Sequence, residues 1–155
     1  GHDVQDDIFS DHAGCSSRIY GGLGENAGGT CLAPAYGADS GAYNFISQDN
    51  QVIPGRKPAA YAVVGTPSGS NVPDAGIDTR ARFLNCISIG DTCGFTDGGS
   101  AASAGVAVNC KVQDLRAGGT YGYSGTMQIE DCGFSSANGT AKSSGVTVKN
   151  TPLVA

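Results

Sequence analysis

One phrase returns at near-regular spacing through the second half of this chain, and it restricts the fold more than any other feature. Ala81-Arg-Phe-Leu-Asn85-Cys86 is a loose first copy. Val106-Ala-Val-Asn109-Cys110, Met127-Gln-Ile-Glu-Asp131-Cys132 and Val146-Thr-Val-Lys-Asn150-Thr151 follow. Each copy is a short β-prone run of near-alternating apolar residues, closed by Asn or Asp and then a small residue. Successive copies lie 24, 22 and 19 positions apart, measured Cys86 to Cys110 to Cys132 to Thr151. A period of roughly 20–50 residues marks stacked repeats, and one strand-rich phrase per period predicts a β-solenoid. Function in such a fold sits on the side walls and loops.

Composition agrees. Charged residues are 15% and Gly is 25 of 155, against about 25% charged residues and 7% Gly in ordinary globular domains. Gly without a collagen period predicts many tight turns between short strands. Hydrophobic residues, at 39%, supply a core. No segment of 11 or more residues keeps a helical period without an interrupting Gly, so the expected class is all-β with essentially no helix. The net charge of −5 with no basic stripe argues against nucleic acid. No apolar run reaches the roughly 18 residues of a membrane-spanning helix. No initiator Met opens the chain, which fits a processed or excised piece.

The chain reads in three parts. Residues 1–12 form an acidic arm expected to be flexible. Residues 13–74 hold a weaker Gly/Tyr-rich β-repeat, with Cys15-Ser-Ser-Arg-Ile19-Tyr20-Gly21 echoed by Cys31-Leu-Ala-Pro-Ala35-Tyr36-Gly37. Tyr43-Asn-Phe-Ile46 and Tyr61-Ala-Val-Val64 read as further strands, bounded by turn residues. Thr66 to Asp74 is the best linker, and residues 75–155 are the clearer solenoid rungs.

Six cysteines permit three disulfides. Cys86, Cys110 and Cys132 fall at one point of successive repeats, which favours a column of free buried thiols. Rung spacing of about 4.8 Å also lies within disulfide reach, so pairing stays open. There is no Cys-x-x-Cys, and no metal or cofactor is expected.

The repeated phrase resembles the right-handed parallel β-helix superfamily of pectate-lyase-like enzymes and bacteriophage tailspikes. The resemblance covers about half the chain. It implies a corner where stacked Asn side chains tolerate left-handed backbone angles, the place held here by Asn85, Asn109, Asp131 and Asn150. Ser40-Gly-Ala-Tyr43-Asn is similar to the head repeats of trimeric phage fibres and adhesins. Together these imply a tail-fibre, tailspike or surface-fibre segment on a virion or outside a cell. The implied partners are copies of itself, a trimer favoured, and a surface polysaccharide or a partner structural protein.

Two further functions compete: a polysaccharide-degrading β-helix enzyme, and a self-assembling fibre or capsid-decoration subunit. An enzyme of this superfamily would place two carboxylates on adjacent rungs, with Asp114, Glu130 and Asp91 the weak candidates. Asp97 and Asp131 are further acids, and Lys111 or Arg116 a possible base. The alternative is that all of them solvate outer faces. Both His residues lie near the N-terminus, which argues against a His-centred triad. For a glycan platform the candidates are Tyr121 and Tyr123, in a Gly-rich stretch expected to be partly exposed. Tyr20, Tyr36, Tyr43 and Tyr61 are expected to pack in the core. Asn138-Gly-Thr140 is a glycosylation sequon whose meaning depends on the host.

Overall fold

The computed structural model describes residues 9–11, 18–25, 32–34, 41–49, 61–63, 82–97 and 105–150. Every strand pair among them is parallel. Three successive turns each contribute three strands. The first turn has β6 (Arg82–Leu84), β7 (Ile87–Ile89) and β8 (Phe95–Asp97). The second has β9 (Val106–Val108), β10 (Lys111–Gln113) and β11 (Tyr121–Ser124). The third has β12 (Gln128–Glu130), β13 (Gly133–Ser135) and β14 (Thr140–Lys142), and β15 (Thr147–Lys149) opens the next. The molecule is a parallel β-solenoid, as the repeat predicts, and the described residues contain no helix.

Register follows the repeated phrase. Arg82, Val106, Gln128 and Thr147 stand in line across one sheet. The Asn or Asp that closes each phrase takes a left-handed backbone, with φ of 54° at Asn85, 50° at Asn109, 50° at Asp131 and 53° at Asn150. Asn and Asp enter this region more readily than other non-glycine residues. A left-handed residue turns the strand direction between the first and second strand of each turn. One local choice, repeated, therefore makes the corner of the whole solenoid.

Toward the N-terminus the same two sheets continue. β2 (Arg18–Glu25) pairs with β4 (Gly41–Gln48), and β4 pairs with both β6 and β7. β4 passes through its own left-handed corner at Asn44, φ 55°. The second sheet runs from β1 (Phe9–Asp11) through β3 (Leu32–Pro34) and β5 (Tyr61–Val63) to β8, β11 and β14. The first sheet is thus continuous across position 74, and the Tyr-rich phrases of residues 43–46 and 61–63 are strands of the same two sheets. Phe9–Asp11, within the arm expected to be flexible, is a strand paired with β3. The linker expected at Thr66 to Asp74 lies outside the described residues.

The interior is built in columns. Ala42, Phe83, Ala107, Ile129 and Val148 form one, alternating large and small from Phe83 to Ile129. Phe95 packs edge-on against Phe83 at 5.6 Å between ring centroids and stacks on Tyr123 at 5.3 Å. Each large apolar side chain taken out of water contributes about 1.5–3 kcal/mol, so these columns hold adjacent turns together. Another column changes character along the axis. Ser47 and Ser88 sit inside the earlier turns, then Val112 and Phe134.

Candidate recognition surface

The conserved geometry of the turns fixes where each candidate residue points. At the first corner the side chains form a ladder. Asn85 Nδ2 donates to Asn44 Oδ1 at 3.0 Å, and Asn109 Nδ2 donates to Asn85 Oδ1 at 2.8 Å. Asn44 belongs to the ladder without a clear sequence signal, because Phe45 stands where the other phrases have Cys or Thr. Just inside the corner, Cys86, Cys110 and Cys132 are buried free thiols. Their sulfurs donate to carbonyls of the preceding turn: Ala42 at 3.3 Å, Phe83 at 3.4 Å and Ala107 at 3.4 Å. Burial pushes the Cys110 thiol well up, with Cys132 and Cys86 beside it adding to the shift. The hydrogen bond from Cys110 draws the Cys132 thiol down to about 7 against the opposing effect of burial.

The three carboxylates proposed for catalysis do not converge. Asp91 is fully buried, with 0% exposure, and accepts hydrogen bonds from Ser88 Oγ at 2.7 Å and Ser47 Oγ at 3.2 Å. It is an interior acid and not a wall residue, because the two serines below it line a polar part of the core. Asp114 is a corner residue with φ 49°, in line with Gly90 (φ 67°) and Asp49 (φ 55°) at a second left-handed corner. Its backbone role accounts for its identity. Glu130 points outward from β12, half-buried, level with Val108 of the turn before. Asp114 is six residues beyond Val108, with the Asn109 corner and all of β10 between. Asp114 thus stands at the second corner and Glu130 beside the first, on different strands, while Asp91 is enclosed in the core. Asp131 is exposed at the first corner beside Glu130. Lys111 is exposed on β10, and Arg116 Nε donates to Gly90 O at 3.0 Å, bracing the second corner.

The two tyrosines of the expected platform separate. Tyr121 is 39% exposed, whereas Tyr123 is fully buried at 0%. Tyr123 turns inward because Phe95 lies in register beneath it, and its hydroxyl finds Cys110 O and Gly133 O, each at 3.0 Å. It is a core residue. The strand keeps its close fit through Gly122, where a Cβ would fall 2.6 Å from the Phe134 ring and 2.8 Å from Ala141 O. Exposed Thr120 precedes Tyr121, and exposed Thr140 stands beside it in register. Asn138 of the sequon donates its side-chain amide to Leu115 O at 2.8 Å, so that nitrogen already serves the fold.

The outer wall also carries residues that the sequence reading placed in the core. Tyr20, at 68%, is the most exposed of the large hydrophobic residues described. Its ring stacks on Tyr43 at 4.9 Å and 16°. Leu23 and Ile46, in register on the far side of the corner, are 44% and 36% exposed. The signal was present in the strand phase: Tyr20 shares the outward phase of Arg18, with Ile19 turned inward between them.

The fold and these surfaces define a parallel β-solenoid with a decorated outer wall. No protein-family model matches the chain, and neither a curated protein nor a solved structure matches it.

Proposed function

We propose that this chain is a structural and recognition β-solenoid, of the kind found in tailspikes, phage tail fibres and cell-surface fibres, and that it binds a surface polysaccharide beside Tyr121. The observation that carries this reading is the exposed Tyr121 ring on a rigid wall. The backbone around it is fixed by neighbouring turns, through Gly94 N to Tyr121 O at 3.1 Å and Thr140 N to Thr120 O at 2.9 Å. A sugar ring packs its C–H face on an aromatic ring while hydroxyls such as those of Thr120 and Thr140 bond to its oxygens. The dispersed carboxylates favour recognition over cleavage.

The test is retention of the chain on immobilised neutral and acidic surface polysaccharides, compared with Tyr121→Ala. The expected result is a weakening of at least about tenfold, near 1.4 kcal/mol, with an unchanged melting temperature. No binding to any member of the panel, or binding indifferent to Tyr121→Ala, removes the reading.

A further inference from the structure

Three buried thiols stand in one orientation on successive turns. Cys86, Cys110 and Cys132 each follow a left-handed residue of the first corner, at φ 54°, 50° and 50°. Each sulfur meets the carbonyl two residues back, Leu84 O at 3.4 Å, Val108 O at 3.4 Å and Glu130 O at 3.3 Å. Each also donates to a carbonyl of the turn before. Lys111 N donates to Cys86 O at 3.0 Å and Gly133 N to Cys110 O at 2.9 Å, which holds the three backbones level. One thiol is thus a copy of the next, moved by one turn. Their sulfurs repeat at close to the spacing of neighbouring strands, about 4.8 Å, and Cys110 lies within hydrogen-bond reach of both others.

That spacing suits one kind of bond better than another. A disulfide needs sulfurs about 2.05 Å apart and Cβ atoms about 3.5–4.5 Å apart. Side chains that copy one another keep their Cβ atoms as far apart as their strands, beyond that range. Two metal–thiolate bonds of about 2.3 Å laid end to end span about 4.6 Å, close to the step of one turn. An ion so held has two ligands in line. Among the described residues no three His, Cys, Asp or Glu side chains are grouped to hold a metal ion, which leaves no tetrahedral set of the kind that Zn²⁺ takes. Thiolates select soft ions, and copper(I) accepts two of them in line. No Cys-x-x-Cys announces such a site, because its ligands sit 22 positions apart and meet only through the stacking of turns.

We propose that Cys110 and Cys132 bind one copper(I) ion between adjacent turns. Each thiol gives its proton to solvent as its sulfur bonds the ion. One Cu⁺ enters and two H⁺ leave, so the buried pair carries one negative charge. The Tyr123 hydroxyl, which donates to Cys110 O at 3.0 Å, is the protein donor beside that charge. Cys132 is the point of entry, since it is 3% exposed while Cys86 and Cys110 are fully buried. Cys110 serves one partner at a time, which leaves Cys86 a thiol and sets the ratio at one ion per chain. The site is inside the core and stands independently of polysaccharide binding at Tyr121.

Titration of the reduced full chain with copper(I), without oxygen and against a competing copper(I) chelator, tests the site. The wild type should take up one ion per chain, and X-ray absorption at the copper edge should show two sulfur neighbours only. Cys110→Ala should abolish this uptake. Cys86→Ala should keep it, as should Cys15→Ser with Cys31→Ser, each with an unchanged far-ultraviolet spectrum. No uptake by the wild type against the chelator overturns the proposal. Uptake that survives Cys110→Ala overturns it too, as does uptake lost in a folded Cys86→Ala chain or in the folded Cys15→Ser, Cys31→Ser chain. Should Cys110→Ala fail to fold, the wild-type X-ray absorption decides by itself: three or more sulfur neighbours, or any nitrogen or oxygen neighbour, rejects the site.

Discussion

Asp131 shows how much one side chain can alter in a repeated site. It holds the same left-handed backbone as Asn85 and Asn109 and stands next in line after them. The amides above it donate in one direction, each Nδ2 to the Oδ1 of the preceding turn. A carboxyl group has no N–H with which to continue that series. The Asn109 Oδ1 thus faces an acceptor where the ladder would otherwise supply a donor. Asp131→Asn should complete that step and stabilise the fold by about 0.5–1.5 kcal/mol, the net worth of one hydrogen bond. Thermal unfolding checks it, and an unchanged or lowered melting temperature would count against a continuous ladder. The corner was legible from the sequence, since Asn or Asp closes every phrase. That Asp114 is also a corner was not legible, because the closing residue of the second corner changes from Asp49 to Gly90 to Asp114 and the residues before it vary too much to mark a repeat.

The element scale is ruled by close approach between successive turns. β11 lies between β8 and β14, and Gly122 is its point of tightest fit against Phe134 and Ala141. Gly122 has an ordinary backbone, so its lack of a side chain is needed for space and not for conformation. Gly122→Ala should cost about 1–3 kcal/mol, the usual range for overpacking a core, read as a lower denaturant midpoint with an unchanged slope. A neutral result would show that β11 and β14 shift apart easily. The Gly-rich stretch around Tyr121 looked like an exposed loop from its composition. Half of it is strand, because parallel neighbours on both sides satisfy its backbone. Local composition carries no information about such distant partners.

At the scale of the whole molecule, the core buries three groups that burial holds protonated, and Cys132 stands apart from them because the hydrogen bond from Cys110 draws it down. Burial pushes the Cys93 and Cys110 thiols and the Tyr123 phenol up from their ordinary values. A raised folded-state value means that the unfolded chain releases its proton first as pH rises. The stabilising contribution of these groups is therefore complete below their unfolded values, near 9.0 for the thiols and 10.0 for the phenol. It falls as pH climbs above about 9 toward the folded values. Melting temperature should decline steadily from pH 9 upward, and Tyr123→Phe should make the decline shallower. A melting temperature flat to pH 11 would contradict a dry core. The amino-acid sequence by itself determined the repeat, the parallel solenoid, the Asn corner and the alignment of Cys86, Cys110 and Cys132 in one column. Each of these follows from residue type and spacing along the chain. The free state of the three thiols was decided by the structure. Only the tertiary structure decided that Tyr123 and Asp91 face inward, that Tyr20 faces outward, and that β4 joins the two halves into one sheet. Those outcomes depend on which residue lies in register on the turn below, and the turns differ in length. The same alternating phrase can therefore present either face until its neighbour fixes the register.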